Sequence, residues 1–276
     1  MLMPDYLLPF IREDVPSGDV TSDTILPDIS CRAVIWAEDD GVIAGLEEAA
    51  TLFSYYGATV TAHVRDGEAV RNRMRLLSID GNAKTILLVE RTALNIIGRM
   101  SGIATQTRKM VDIVTTANPR CRVAGTRKTS PGCRALDKKA ISLGGGDPHR
   151  SNLSDGILIK DNHLLLVPLS EAIRLAKRAT AYRKIEIEIE TPGDAVDAAR
   201  EGADIIMLDN MTPDQIRETI SALIRGGLRE NVAVELSGGI DEQNIGMYAG
   251  LGADMISLGA LTHSIRNFSV NLEIVP

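Results

Sequence analysis

The chain has 276 residues, of which 44% are hydrophobic and 24% are charged, and its formal net charge is -7. These values are typical of a globular protein with a sizeable core, and no segment approaches the roughly 18 consecutive apolar residues that a membrane-spanning helix needs. The acidic balance and the 3% of aromatic residues argue against a nucleic-acid-binding protein, which uses a basic face and stacking side chains.

The N-terminal residues and the cysteines indicate the compartment. Residues Met1 to Asp14 lack a basic region followed by an apolar core, so we expect no secretory signal, no membrane partner and a cytoplasmic location. Cys31, Cys121 and Cys133 are odd in number and have no Cys-x-x-Cys spacing. They therefore predict neither a disulfide framework nor a zinc site.

The first hundred residues are typical of an α+β domain. Two β-rich runs and one helical stretch come first, at residues 31–43, 58–64 and, for the helix, 46–56. Gly81-Asn82 then stands between apolar runs, which predicts a hairpin turn. Residues 88–116 have helical composition, in which Gly98, Ser101 and Gly102 are expected to bend or divide the helix.

From about Val123 onward, short β-rich runs alternate with amphipathic helical stretches. The predicted strands are residues 156–160, 185–190, 204–209, 232–237 and 255–259. The helical stretches between them follow the favoured N-cap residues Ser170, Thr191 and Thr212. Repeated strand-helix units of this kind predict either a parallel α/β barrel or a doubly wound sheet.

Polar residues and glycine recur where the predicted strands end, which favours the barrel. The residues at these ends are Lys160, Glu190, Asp209, Ser237 and Gly259. In α/β barrels the chemistry is carried by this rim, whereas a doubly wound sheet concentrates its site at one switch point. The Gly144-Gly145-Gly146 triplet also lacks the spaced fingerprint of a dinucleotide-binding loop.

Basic residues concentrate between residues 125 and 163, in a chain that is acidic overall. They are Arg127, Lys128, Arg134, Lys138, Lys139, Arg150 and Lys160, with His149 after the glycine triplet. A local positive field attracts anionic small molecules, so the ligand is expected to be polyanionic. The planar guanidinium groups of Arg127, Arg150 and Arg91 suit carboxylates, although Arg91 beside Glu90 is equally well explained as a surface ion pair.

Acidic residues are also placed in a strand pattern. Glu186, Glu188 and Glu190 alternate with isoleucines, so the three carboxylates share one face of a strand. That face is either the solvated side of an edge strand or a functional barrel interior. Asp209 ends the next strand, where it either caps the following helix or, together with Glu188, binds Mg²⁺ at the rim.

Glycines follow the last two predicted strands. Ser237-Gly238-Gly239 and Leu258-Gly259-Ala260 stand where α/β barrels frequently bind phosphate through backbone N–H groups. A plain turn explains either glycine pair taken singly. Their joint position after consecutive strands favours phosphate binding.

Motifs spread in order along nearly the whole chain resemble one known family. They are Gly18-Asp19-Val20-Thr21, Glu90-Arg91-Thr92-Ala93-Leu94-Asn95, Gly125-Thr126-Arg127-Lys128, Gly144-Gly145-Gly146 with His149-Arg150, Leu158-Ile159-Lys160-Asp161-Asn162-His163, Ile206-Met207-Leu208-Asp209-Asn210, Ser237-Gly238-Gly239-Ile240 and Leu261-Thr262-His263-Ser264. By these motifs the chain resembles quinolinate phosphoribosyltransferase, also called nicotinate-nucleotide pyrophosphorylase.

The resemblance implies a fold and an activity. The fold is an N-terminal α/β sandwich domain, residues 1–100, to which the C-terminal tail, residues 265–276, returns, and an open α/β barrel of seven strands, residues 101–264. The activity converts quinolinate and phosphoribosyl pyrophosphate, with Mg²⁺, into nicotinate mononucleotide, pyrophosphate and carbon dioxide in NAD biosynthesis. The implied assembly is a homodimer with shared active sites, and a hexamer built from dimers stays open.

The resemblance also implies roles for individual residues. The quinolinate carboxylates would be held by Arg127, Lys128, His149, Arg150 and Lys160. Arg91 would be contributed across the dimer interface. The acids near the ribose and the metal would be Glu188 and Asp209, which complete the catalytic set with Lys128 and Lys160. The phosphate-loop positions would be Ser237, Gly238, Gly239 and Gly259.

Pro148 is a departure from the family pattern, which usually has Asn before His149-Arg150. A related family, associated with molybdenum-transport genes, has a similar fold and tends to have Pro-His-Arg at this place. The motif Lys160-Asp161-Asn162-His163 favours the quinolinate family, because the related group generally departs from it. The alternative is a protein of the same fold with a different anionic substrate or a binding role.

Overall fold

The computed structural model describes residues 4–275, so Met1 to Met3 of the expected N-terminal domain and Pro276 of the expected tail lie outside the described residues. The chain divides into two compact units. The first comprises residues 4–108, 139–145 and 265–275, and the second comprises residues 109–138 and 146–264.

The helices and strands are numbered here in chain order. The first are α1 (Pro4–Asp14), α2 (Val20–Ile25), β1 (Ser30–Ala37), β2 (Gly41–Val42), α3 (Leu46–Tyr55), β3 (Thr59–Ala62), β4 (Ala69–Val70), β5 (Arg75–Asn82) and α4 (Ala83–Ala117). The next are β6 (Arg122–Gly125), α5 (Arg134–Leu143), β7 (Ile157–Ile159), α6 (Asp161–Leu164), α7 (Leu169–Ala179), β8 (Ile185–Ile189), α8 (Pro192–Glu201), β9 (Ile205–Asp209), α9 (Pro213–Arg225), β10 (Ala233–Ser237), α10 (Ile245–Ala249), β11 (Met255–Leu258), α11 (Ala260–His263) and β12 (Val270–Val275).

The first unit is built on a four-stranded sheet of order β12-β1-β5-β3. The pairings are antiparallel, and the C-terminal strand β12 pairs with β1 along its whole length. Helix α3 packs against β3 and β5, and its Leu52 and Phe53 are fully buried. An amphipathic helix on one face of a sheet buries apolar surface that neither element could bury alone.

The predicted hairpin at Gly81-Asn82 is wrong. Both residues lie in β5, where Gly81 pairs with Cys31 of β1, and α4 begins at the next residue. The Asn82 side chain accepts a hydrogen bond from the backbone N–H of Lys84 at 2.9 Å, as a helix N-cap side chain does. Asparagine favours both turns and helix starts, and here the helix start is realised.

The predicted division of the helix near Gly98 and Gly102 is also wrong, because α4 is one uninterrupted helix of 35 residues. A Cβ atom at Gly98 would lie 3.0 Å from the carbonyl oxygen of Phe268, and a Cβ atom at Gly102 would overlap the carbonyl of Arg266. The two glycines therefore allow the segment before β12 to approach the helix closely. Among residues 4–275, neither α4 nor any other helix combines the length and the apolar character that crossing a membrane requires.

The second unit contains a six-stranded sheet of order β6-β11-β10-β9-β8-β7. All its pairings are parallel, which confirms the α/β class and the alternation of strands with helices. The sheet has six strands rather than the seven expected. An isolated parallel bridge between Ala124 of β6 and Asp147 extends the β6 edge by one residue.

Two of the three predicted helix caps are confirmed. Thr191 caps α8 through its side chain, and Thr212 caps α9 in a reciprocal arrangement with Gln215. Ser170 is not a cap, because α7 already begins at Leu169 after Pro168, which offers no side-chain hydrogen bond. The helix therefore begins two residues earlier than a cap at Ser170 would place it.

Candidate active site

A cavity of about 540 Å³ lies at the C-terminal ends of the parallel strands of the second unit. Its volume is within the range of ligand sites, roughly 300 to 1,000 Å³. The predicted site residues that line it are Arg127, Lys128, His149, Arg150, Lys160, Glu188, Asp209, Ser237, Gly238 and Gly239. Residues from several strand ends therefore meet at one place, as the barrel interpretation predicts.

Two predicted site residues do not line this cavity. Gly259 lines a smaller cavity of about 230 Å³, which shares Lys128 and Ser237 with the first one. Arg91 is exposed on α4, in the first unit.

The basic segment separates into groups with different surroundings. Lys139 belongs to the first unit, where it forms ion pairs with Glu47 and Glu48 at 2.8 and 2.7 Å. Arg134 donates a hydrogen bond to the Thr129 hydroxyl at 3.1 Å. These two cations therefore serve the local structure, and the expectation that the whole segment faces the anion is too broad.

Arg127 and Arg150, which line the cavity, are less fully compensated by the described residues. The Nε atom of Arg127 is buried and has no hydrogen-bond partner among the described residues. Burial, followed by the neighbouring Arg127 guanidinium, lowers the pKa of Arg150. Crowded and desolvated positive charges favour the binding of an anion, which relieves their repulsion.

Lys138 adds a further buried ammonium group in the second unit. Burial, followed by repulsion from Arg134, lowers the pKa of Lys138 to about 8. Its ammonium donates a hydrogen bond to the carbonyl oxygen of Pro148, directly before His149. The lysine therefore ties the His149 loop to α5 while adding positive charge near it.

The acidic strand faces inward. Strand β8 lies between β7 and β9 in the sheet, so the edge-strand alternative is wrong. Glu186 is 4% exposed, and the Glu188 side chain, 14% exposed, forms an ion pair with Lys160. Glu190 follows the end of β8 and is exposed. Glu188 is therefore the carboxylate of this strand that lines the cavity.

Asp209 does not cap the following helix, because Thr212 has that role. Its carboxylate accepts a hydrogen bond from the side-chain amide of Asn210 at 2.6 Å. Asp209 and Glu188 line the same cavity, and carboxylate oxygens are the ligands that Mg²⁺ prefers. The donor set of these residues therefore fits the expected metal.

The glycine loop after β10 has a backbone that only glycine adopts readily. The φ angles are 93° at Gly238 and 62° at Gly239. A Cβ atom at Gly238 would also overlap the Asn210 side chain. Left-handed residues in a tight loop can turn successive N–H groups towards an anion, as expected for a phosphate loop.

The structure adds a buried cluster that the sequence analysis did not predict. The Nε2 atom of His149 lies 3.3 Å from Oε2 of Glu235 and 3.6 Å from Oε2 of Glu186. Glu235 is 0% exposed, on β10. One sequence signal was present, because a glutamate inside the apolar run of a central strand and two residues before Ser237 shares the face of that site residue.

Burial, followed by the proximity of Glu235, raises the pKa of Glu186 to about 7. Burial by itself lowers the pKa of His149, but the two carboxylates outweigh burial, so the pKa is raised. The backbone N–H of Arg150 opposes that shift, because it donates to Nδ1 of His149 at 2.8 Å. We take Nδ1 to be unprotonated, because a second N–H would collide with that donor, and Nε2 therefore carries the hydrogen.

His149, Glu186 and Glu235 also form a group whose ligand atoms lie within 4.8 Å of one another. Three such donors can hold a divalent cation in principle. An Nε2 atom that carries a hydrogen has no lone pair for a metal, so this geometry favours a hydrogen bond instead.

Comparisons with known proteins identify the family. The model of the quinolinate phosphoribosyl transferase N-terminal domain matches residues 19–101, and that of the C-terminal domain matches residues 103–273. The chain is 42% identical to a probable carboxylating nicotinate-nucleotide pyrophosphorylase of Methanothermobacter thermautotrophicus over 276 residues, 99% of each chain. It is 41% identical to the protein of the same name from Archaeoglobus fulgidus over 261 residues, 95% of this chain and 100% of that one.

A solved structure agrees with these matches. The crystal structure of NadC from Streptococcus pyogenes has a TM-score of 0.91 and 34% sequence identity to this chain, with coverage of 100% of this chain and 99% of that one. The matches favour the quinolinate family over the molybdenum-associated alternative, in spite of Pro148. The chain belongs to the quinolinate phosphoribosyltransferase family.

Proposed function

We propose that this chain transfers the phosphoribosyl group of phosphoribosyl pyrophosphate to quinolinate, with loss of carbon dioxide, to give nicotinate mononucleotide and pyrophosphate for NAD biosynthesis. The observation that carries the proposal is the cavity at the strand ends, lined by the half-buried guanidinium groups of Arg127 and Arg150, in a chain that matches the family along both domains. A polyanionic substrate pair supplies the missing negative charge.

Quinolinate carries two adjacent carboxylates, which suit the planar guanidinium groups of Arg127 and Arg150. His149 and the ammonium groups of Lys128 and Lys160 line the same cavity and can add donors. The site thereby offsets the repulsion between two anionic substrates that must react with each other. Holding them in contact removes much of the entropic cost of a two-substrate reaction.

In the transfer step, the pyridine nitrogen forms a bond to C1 of the ribose while the bond from C1 to the pyrophosphate oxygen breaks. Positive charge develops on the ribose ring, and the Glu188 carboxylate is the group we assign to stabilise it. The ion pair with Lys160 holds that carboxylate in place at the wall of the cavity. Lys160 therefore positions the Glu188 side chain in addition to binding the substrate.

The anionic parts of phosphoribosyl pyrophosphate need their own donors. The loop residues Ser237, Gly238 and Gly239, together with Gly259 of the smaller cavity, suit a phosphate group. Mg²⁺ bound with Glu188 and Asp209 would neutralise charge on the leaving pyrophosphate.

Decarboxylation follows transfer. The bond between the ring carbon next to the nitrogen and its carboxylate breaks, and the electron pair stays on that carbon beside the pyridinium nitrogen. The positive nitrogen stabilises the pair until the carbon takes up a proton. The role of the protein in this step is to hold the remaining carboxylate and the ribose phosphate in place.

The family resemblance also supports a cytoplasmic homodimer in which Arg91 completes the site of the other subunit. Arg91 is an exposed guanidinium on α4, as a residue contributed to a partner must be. The proposed assembly therefore makes an isolated protomer deficient in quinolinate binding.

The test is the formation of nicotinate mononucleotide by the purified protein given quinolinate, phosphoribosyl pyrophosphate and Mg²⁺. Each component is omitted in turn, and carbon dioxide is measured from quinolinate labelled in the carboxyl group next to the nitrogen. We expect product only with all three components, and one carbon dioxide released for each nucleotide formed. Folded protein without product would contradict the proposal, and other pyridine or pyrimidine acids would then be tried.

A further inference from the structure

We propose that Glu235 is a positioning residue, whose carboxylate accepts the Nε2–H of His149 and thereby fixes the ring tautomer of His149 and the place of Arg150 in the cavity. The inference rests on the proposed function only for the identity of the anion that His149 and Arg150 bind. The hydrogen-bond arrangement itself is a property of the free protein.

The imidazole ring of His149 links two hydrogen bonds. Oε2 of Glu235 lies 3.3 Å from Nε2, and the Arg150 N–H donates to Nδ1 at 2.8 Å. A neutral imidazole has one donor nitrogen and one acceptor nitrogen, so the bond at one nitrogen determines what the other can do. The acceptor Glu235 therefore keeps Nδ1 free for the Arg150 N–H.

The backbone of His149 needs such support. Its φ angle is 54°, in the left-handed region that residues with a side chain adopt only when their surroundings hold them there. Its N–H donates to Oδ1 of Asp147 at 2.8 Å, and its ring accepts the N–H of the next residue. The next residue is Arg150, whose side chain lines the cavity, so the conformation of His149 sets where Arg150 begins.

The position of Glu235 is unfavourable for stability alone. The side chain is 0% exposed on a central strand, and its Oε1 atom has no hydrogen-bond partner among the described residues. The neighbours Val234 and Leu236 are buried and apolar. A buried carboxylate that is bonded through one oxygen destabilises a fold compared with a packed apolar side chain. A function for the carboxylate accounts for its presence there.

Glu186 provides a matched control within the same cluster. It is 4% exposed, but its Oε2 lies 3.6 Å from Nε2 of His149, too far for a hydrogen bond. The two acids differ in one further respect, because Glu235 lines the cavity and Glu186 does not. The variant Glu186→Gln replaces this carboxylate by a neutral amide. It therefore tests the loss of a buried acidic group near His149 while Glu235, the acceptor for Nε2–H, stays in place.

The kinetic test compares Glu235→Gln, Glu235→Leu and Glu186→Gln. Glutamine keeps an acceptor oxygen for Nε2–H, whereas leucine fills the space without one. We expect Glu235→Leu to raise the KM for quinolinate about ten-fold, with the KM for phosphoribosyl pyrophosphate unchanged. Glu235→Gln and Glu186→Gln should stay within about two-fold of the unchanged protein for both substrates. Equal losses in the Gln and Leu variants of Glu235, or equal effects on both substrates, would overturn the proposal.

A second measurement does not depend on turnover and is made on the unmodified protein, with a variant used only to assign one signal. The ¹⁵N shifts of labelled histidine in the unmodified protein report which ring nitrogen carries hydrogen, and the signal lost in His149→Gln identifies the residue. We expect Nε2 protonated and Nδ1 unprotonated at neutral pH. A protonated Nδ1 would overturn the proposal. The expected tautomer without turnover of quinolinate would contradict the proposed function and leave the positioning role in place.

Discussion

The Lys160 ammonium and the Glu188 carboxylate form an ion pair across the ends of neighbouring parallel strands. Ile159 of β7 and Ile187 of β8 are partners in the register, so Lys160 and Glu188 occupy the next positions. The Glu188 side chain is 14% exposed, so the pair is partly removed from water and interacts more strongly than a surface pair. The pair fixes the position of the Glu188 carboxylate at the rim of the cavity.

We expect Lys160→Ala to lower kcat about a hundred-fold or more, because Glu188 loses its partner and the site loses a substrate ligand. Steady-state kinetics with both substrates measures this. Lys184→Ala is the matched control, because Lys184 pairs with Asp204 near the opposite end of β8, away from the cavity residues. A similar loss in both variants would contradict the role assigned to Lys160.

Arg127→Lys keeps the positive charge but removes the planar fork, so quinolinate should bind about ten-fold more weakly. Titration calorimetry with quinolinate measures the affinity directly. Arg122→Lys changes an exposed arginine at the start of β6, paired with Asp147, and should leave the affinity unchanged. Unaltered binding by Arg127→Lys would show that the guanidinium does not contact the ligand.

Gly238→Ala should destabilise the protein by about 1 to 2 kcal/mol, because alanine is strained at a φ of 93° and its Cβ would overlap Asn210. The same change should weaken the binding of phosphoribosyl pyrophosphate. Urea unfolding and calorimetry are the measurements. Gly246→Ala is the comparison, because a Cβ there meets open space within α10 and alanine favours helices. Equal stability of both variants would contradict the account of the loop.

Glu186→Gln should change how stability depends on pH. The pKa of Glu186 is about 7 in the folded protein against 4.5 in the reference state, so folding takes up a proton between these values. The fold therefore loses stability through this group as pH rises from 4.5 to about 7. The Gln variant should be more stable than the unchanged protein at about pH 8, by up to roughly 3 kcal/mol, with no gain at about pH 4. Urea unfolding at several pH values tests this, and parallel profiles would contradict it.

Arg91→Ala and Lys128→Ala proteins should each be deficient, and mixing them should restore activity. A heterodimer then has one site in which both residues are intact, so a random mixture should recover about a quarter of the normal rate. Two different affinity tags isolate the heterodimer for the assay. Purified heterodimers without activity would show that the sites are not shared between subunits.

Several elements follow from the sequence through local chemistry. Strands β8, β9 and β10 are rich in isoleucine, leucine and valine, and Thr191 and Thr212 stand where helices start. These signals depend on neighbours a few residues away. The same local reasoning is wrong at Gly81-Asn82, because asparagine serves a hairpin turn or a helix cap equally well, and the surrounding β5 and α4 select the cap.

The sequence by itself determined the family, the cationic segment and the residues of the strand ends, because these follow from motifs and from the alternation of side chains in strands. Only the tertiary structure decided which basic side chains form ion pairs in the folded chain and which acidic side chain lies beside which basic one. Glu235 and His149 are 86 residues apart, and Lys139 bonds to Glu47 rather than facing the cavity. Burial and distance set these partners, and neither is a property of adjacent residues.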